Sequence, residues 1–383
     1  MKIFMKMLCV GLSIVFLIMS GMVSVCAEGQ TLDIKAKSAI LMEPNTKTIL
    51  YESNIDERLS PASITKIMSL LLVMEAIDKG QLTVEDVLTC SDHAASMGGS
   101  QIWLEPGESM TVDDLLKATV IGSANDATVM LGEAVAGSEE GFVAMMNEKA
   151  KSLGMNNTNF VNCTGLDAEN HYSTAHDVAI MSCELIKHPL IKSYTTVWMD
   201  TLRDGESELV NTNRLVRFYE GTTGLKTGTT SAAGYCLSAS ALRDGTELVA
   251  VIMGGDTSND RFEGAKKLLD YGFANYSFSE ILPEKTEEIT VGVENGVKKS
   301  FKAKADGSLK LLLKKAQSSE ITQNTVINEG ITAPVNKGDK VGSVDIYIGE
   351  EQVGSIDIVA LEDVRKMSYL QALRWMLSGL VTL

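Results

Sequence analysis

Leu59-Ser60-Pro61-Ala62-Ser63-Ile64-Thr65-Lys66-Ile67-Met68 is the stretch on which the reading of this chain turns. Pro61 and Ser63 introduce a run in which Ile64, Ile67, Met68, Leu71, Leu72 and Met74 recur at helical spacing until Gly80. The pattern predicts a mostly buried helix with Ser63 in its first turn. The i to i+3 spacing of Ser63 and Lys66 places a hydroxyl and an amine on one face, where they can share a proton. A serine hydroxyl is a poor nucleophile until a base takes its proton, and a lysine serves as that base only if burial or a neighbouring cation lowers its pKa. A helix N-terminus adds backbone N–H groups and a positive dipole end near developing negative charge. S-x-x-K is nonetheless expected about once by chance in a chain of this length, so the remaining sequence has to decide.

Two further motifs follow in order. Ser123-Ala124-Asn125 is S-x-N, a second hydroxyl for proton relay and an amide able to grip a carbonyl. Lys226-Thr227-Gly228 is K-T-G, expected only about 0.1 times by chance. Strand signals at 235–243 and 247–253 are joined by Asp244-Gly245, a hairpin cue. The triplet therefore falls where an edge strand could present its backbone to an extended peptide, with a cation, a hydroxyl and a glycine that leaves room for close approach.

In this order the three motifs match the signature of penicillin-binding proteins and serine β-lactamases. The stretches 59–68, His171-Tyr172-Ser173-Thr174-Ala175-His176-Asp177, 221–230 with Ala233-Gly234-Tyr235-Cys236, and Arg261-Phe262 leading to Leu268-Leu269-Asp270-Tyr271-Gly272-Phe273 narrow the match. They closely resemble the low-molecular-mass D-alanyl-D-alanine carboxypeptidases. The resemblance runs from about Lys37 to Phe273 and more loosely beyond. It implies an α/β (α+β) transpeptidase-like fold with a small all-β C-terminal domain and a terminal amphipathic helix. It implies that Ser63 attacks the carbonyl between two terminal D-alanines of a peptidoglycan stem peptide, with Lys66 as base and Ser123 relaying the proton to the leaving amine. Asn125 would orient the peptide, Lys226 and Thr227 would bind its carboxylate, and the backbone N–H groups of Ser63 and Thr229 would form the oxyanion hole. β-Lactams would be inhibitors, and no cofactor or metal is implied. Many relatives have glycine at Ala124, a small change.

The rest of the chain sets the context. Lys2 and Lys6 precede an apolar run from Met7 to about Met19, and Val25-Cys26-Ala27 ends it with small residues, so residues 1–27 read as a cleavable export signal. Without them 32 basic side chains face 50 acidic ones, a net charge of −18, which excludes nucleic acid as a partner. Cys90, Cys163, Cys183 and Cys236 are too scattered for a disulfide framework or zinc knuckle. Thr111 with Asp114 three residues on predicts a capping box before Leu115 and Leu116. The expected domains are a catalytic unit over 28–278, an all-β unit over 279–361 with strand-like runs at 286–293, 308–313, 341–348 and 353–359, and a helix over 362–383. In that helix Val364, Met367, Leu370, Leu373, Met376, Leu377 and Leu380 share one side, the pattern of a membrane-surface helix. The expected location is the outer face of a bacterial cytoplasmic membrane.

Rival readings are weaker. No H-x-x-x-H or H-E-x-x-H metal motif and no G-x-S-x-G elbow occurs. A serine β-lactamase would need a deacylating carboxylate, and the nearest approach to its E-x-x-L-N loop, Glu208-Leu209-Val210-Asn211, lacks the leucine in place and lies 15 residues before Lys226. A transpeptidase usually belongs to a longer chain. A catalytically idle wall-binding scaffold conflicts with three motifs that keep their reactive side chains.

Overall fold

The computed structural model describes residues 32–284 and 287–374, with backbone only at 317–319. The expected export signal lies outside the described residues. The chain divides into Met1–Ile34 and Lys35–Leu383, and the second unit contains every helix and strand of the described residues.

Its scaffold is a five-stranded antiparallel sheet made from the two ends of the catalytic region: β1 (Ser38–Met42), β2 (Ile49–Ser53), β3 (Thr222–Thr230), β4 (Gly234–Arg243) and β5 (Thr246–Gly255), in the order β2-β1-β5-β4-β3. The β1–β2 turn closes on buried Glu43, whose carboxylate accepts from the backbone and side chains of Asn45 and Thr46. β5 reads Leu248-Val-Ala-Val-Ile-Met253 without polar alternation and is buried from Leu248 to Gly255, as expected of a strand covered on both faces. Side chains alternate in direction along a strand, and β1 shows what each face meets. A Cβ on Gly272 of α5 (Ser258–Asn275) would lie 2.8 Å from Leu41, whereas Met42 Sδ lies 3.7 Å from Cys183 Sγ of α4 (Ala175–Leu185).

On the Met42 face lies the main hydrophobic core, built around α1 (Lys66–Asp78), α2 (Asn125–Ala136), α3 (Glu139–Ser152) and α4. α1 is buried from Lys66 to Met74, so the helix carrying the S-x-x-K lysine is the centre of the fold. Of the capping box predicted at Thr111 the forward bond forms, the Thr111 hydroxyl accepting from Asp114 N.

Beyond α5 the chain enters β6 (Tyr276–Ile281), then β7 (Ile289–Gly292), β8 (Ser300–Ala305), β9 (Leu309–Lys314), β10 (Ile321–Ile327), β11 (Lys340–Ile348) and β12 (Glu351–Ala360). β6 pairs with β9, and the others form a sheet in the order β7-β8-β12-β11-β10 over a separate core that includes Val291, Phe301, Val344, Ile346, Ile356 and Ile358. All four expected strands are present. Three strands lie outside the expected runs: β6, whose serines and glutamate break the apolar signal, and β8 and β10, whose outward lysines, threonines and asparagine dilute it. The terminal helix needs a correction: it begins at Tyr369, not near 362, because Val364 is buried in the β core and bonds Val335 through both its N–H and its carbonyl. The helix is described as far as Arg374. No helix among the described residues is long and apolar enough to cross a membrane.

Candidate active site

Ser63 lies in a 3-10 turn, Ala62–Thr65, that runs directly into α1. Ala62 before it has φ +48°, an uncommon conformation for a residue with a Cβ, and the turn is fixed by its surroundings. A Cβ on Gly165 would fall 1.8 Å from Ala62 O, so only glycine lets the 162–167 loop lie against the turn, and φ +87° there suits glycine as well. One turn on, Lys66 Nζ lies 3.1 Å from Ser63 Oγ, 2.6 Å from Asn125 Oδ1 and 2.7 Å from Thr164 O. Lys66 is fully buried, and burial pulls its amine down to about 7 against the opposing charge of Asp126.

The 162–167 loop owes its shape to side chains from three directions. Asn162 Oδ1 accepts from the N–H groups of Thr164 and Gly165, Ser69 Oγ donates to Cys163 O, and Glu139 Oε1 accepts from Cys163 N. His171 ties this region to the turn. Its Nδ1 accepts from Val161 N at 3.0 Å, which leaves Nε2–H to donate to Thr65 Oγ1 at 2.9 Å. Burial lowers the His171 pKa to about 4, so the ring is neutral.

The second motif follows a π turn, Ala118–Gly122, whose last residue hands over to Ser123 at φ +64°. Ser123 is buried, and Asn125, two residues on, opens α2. While its Oδ1 accepts from Lys66, the Asn125 Nδ2 donates to Gly98 O at 2.6 Å and its backbone N to Ser100 O at 2.7 Å.

The third motif lies on β3, which has a strand partner on only one side. Its glycine is needed for contact with the serine turn. A Cβ on Gly228 would meet Pro61 O at 2.9 Å and both Ala62 Cβ and Ile64 N at 3.0 Å. Lys226 is buried, and burial, with the charges of Lys66 and then Arg261, holds its amine well below the usual lysine range. Thr227 Oγ1 donates to Thr212 Oγ1 at 2.7 Å, and Arg261 Nη1 donates to Gly228 O at 3.0 Å and Thr229 Oγ1 at 2.9 Å. Burial lowers Arg261 to about 10.

Lys66 thus bonds both Ser63 and Asn125. Lys226 is near enough for its charge to act on that of Lys66, and Thr227 and Thr229 flank the glycine seated on the serine turn. Thr164, whose carbonyl orients Lys66, had no signal in the sequence beyond the following Gly165. Arg261 entered only as part of a resembling stretch, without a place beside K-T-G.

A serine and a buried lysine one helical turn apart, with an asparagine bonded to the lysine and K-T-G on a sheet edge against them, define a serine penicillin-binding protein. Residues 24–257 match the family described as D-alanyl-D-alanine carboxypeptidase, and residues 276–366 match the C-terminal domain of penicillin-binding protein 5. The carboxypeptidase DacF of Bacillus subtilis is 42% identical over 344 residues, covering 89% of this chain and 88% of its own. Penicillin-binding protein 5 of Haemophilus influenzae superposes with a TM-score of 0.74 at 32% identity, over 88% of this chain and 99% of that one. Penicillin-binding protein D2 of Listeria monocytogenes, solved in an ampicillin-bound form, superposes at 0.58 with 33% identity, over 63% of this chain and 99% of its own. The chain belongs to the serine-type D-alanyl-D-alanine carboxypeptidase family, a group of hydrolases.

Proposed function

We propose that Ser63 is the nucleophile and Lys66 its general base, and that the substrate is a peptidoglycan stem peptide ending in D-alanyl-D-alanine. The observation that carries this is the Lys66 amine itself: wholly buried, 3.1 Å from Ser63 Oγ, and drawn down to about 7. As Oγ bonds to the penultimate D-alanine carbonyl, its proton passes to Lys66 Nζ. Ser123 relays a proton to the departing amine of the terminal D-alanine as the C–N bond breaks. Water then cleaves the acyl ester, restoring the Ser63 hydroxyl and releasing the shortened peptide. Asn125, held from both ends, orients the peptide. Lys226 and Thr227 receive its carboxylate, and the N–H groups of Ser63 and Thr229 hold the oxyanion. The close seating of Gly228 on the serine turn supports that last pairing, since it brings the two segments together.

A β-lactam would acylate the same serine. The protein would act outside the cytoplasmic membrane, with its terminal helix on the membrane surface. Tyr369 and Leu370, 89% and 72% exposed on the described part of that helix, support such a contact. The deciding experiment measures D-alanine release from a peptide ending in D-Ala-D-Ala alongside labelling with a fluorescent penicillin. Both are expected for the native chain and neither for Ser63→Ala. A label that persists in the variant would remove Ser63 from its role. Removal of residues 369–383 should abolish sedimentation with vesicles, and continued sedimentation would refute the helix as sole anchor.

A further inference from the structure

Three residues beyond Ser100, whose carbonyl accepts from Asn125 N, a residue stands in a conformation its side chain disfavours. Trp103 has φ +60° and is 75% exposed, whereas Ile102 and Leu104 on either side are buried. A positive φ is a genuine outlier for so bulky a residue and persists only where the surroundings dictate it. Here they do. The N–H groups of Ile102 and Leu104 both donate to the carboxylate of Asp126, at 3.1 Å to the same oxygen, and Ile102 O accepts from Arg203 Nη1 at 3.0 Å. Asp126 is fully buried, and besides the N–H of Ala127 in its own helix its desolvated carboxylate holds two N–H groups of this one loop.

The loop is also the one that holds Asn125. Gly98 O and Ser100 O take the Asn125 side-chain and backbone donors. A Cβ on Gly99 would meet Asn125 Nδ2 at 2.8 Å and Leu166 Cδ2 at 3.5 Å. Leu166, 37% exposed, thus shares this rim. An indole offers one of the largest apolar faces available to a side chain. Facing water, it adds nothing to the core, and a φ near +60° makes it costly to keep.

We propose that Trp103 is a substrate-contact residue that sets the preference for peptide length. Its indole covers the stem-peptide residues that precede the D-alanine pair, and Asp126 is the positioning residue that holds it there. The inference rests on Asn125 orienting the peptide, which places this loop on the acyl side of the scissile bond.

The test compares D-alanine release from a pentapeptide stem and from N-acetyl-D-Ala-D-Ala, which has nothing for Trp103 to cover. Trp103→Ala should lower kcat/KM for the pentapeptide about tenfold, mainly through KM, as expected for one lost aromatic contact. The rate on the dipeptide should be unchanged. Trp103→Phe should restore most of the loss. Trp103→Gly should show the same loss and a higher Tm, because glycine adopts this backbone without strain. Asp126→Asn, if it folds, alters the charge beside Lys66 and so shifts the rate on both substrates, but the pentapeptide-to-dipeptide ratio of kcat/KM should fall as it does in Trp103→Ala. Equal losses on both substrates, or no loss on the pentapeptide, would overturn the proposal. Penicillin labelling that survives Ser63→Ala would be a separate result, striking at the site assignment on which the proposal rests.

Discussion

At the scale of single residues the site depends on two amines kept out of water. A lysine with its pKa drawn down to about 7 is a base only once it has lost its proton, so acylation by penicillin should increase with pH through about 7 and level off above it. Stopped-flow acylation rates between pH 5 and 9 measure this, and a flat profile would show that Lys66 is not the base. Lys226 is the more expensive of the two to bury: its amine donates to Thr227 O at a long 3.3 Å, and like charges lie nearby. Lys226→Met should therefore raise Tm by about 3 °C or more while D-alanine release collapses, a trade of stability for chemistry readable by calorimetry. Gly228 poses a purely steric question. A methyl group there must push β3 off the serine turn, and displacements near 1 Å cost about 10²-fold in rate. Gly228→Ala should lose activity on that order in a protein that still folds.

At the scale of elements, the tie between the serine turn and the 161–171 segment is a neutral histidine. His171 has a folded pKa of about 4 against 6.5 when free. Between pH 6.5 and 4 the unfolded chain takes up a proton that the folded protein refuses. Stability should therefore fall with falling pH across that window, by about 3 kcal/mol in all. Urea denaturation at a series of pH values would show the slope, and His171→Gln should remove most of it. This tie also shows where the sequence was readable. The buried helix after Ser63, the Asp244-Gly245 hairpin and K-T-G as an edge strand follow from local periodicity and turn chemistry, which act over a few residues. Lys66 could be singled out because spacing alone places it beside Ser63. The bonds from Lys66 to Thr164 O and from Arg261 to Gly228 O span 98 and 33 residues, and nothing local marks either partner. The start of the terminal helix was misjudged for the same reason. Val364 fits a helical stripe, but tertiary pairing with Val335 holds it in an isolated β-bridge against the β core.

At the scale of the whole molecule, the catalytic region and the β domain have separate cores, joined where α5 passes into β6. Phe278 N donates to Thr246 Oγ1, and Lys315 Nζ to Phe273 O. The Listeria relative aligns over nearly its whole length with only 63% of this chain. A protein ending at Asn275 should accordingly fold and take a penicillin label at an undiminished rate. Failure to label despite a native circular dichroism spectrum would make the β domain part of the site. The edge strand β3 has a consequence for handling the protein. A strand that must stay unpaired to receive a peptide is also one on which a second molecule could build its own sheet. Little of it is left open: Thr223 O is taken by Thr195 Oγ1, and a Cβ on Gly224 would lie 2.8 Å from Thr195. The formal charge of −16 keeps copies apart in dilute buffer. Concentrated stocks should thus clump first in high salt, where that repulsion is screened, and a tightly bound β-lactam should act as a solubiliser.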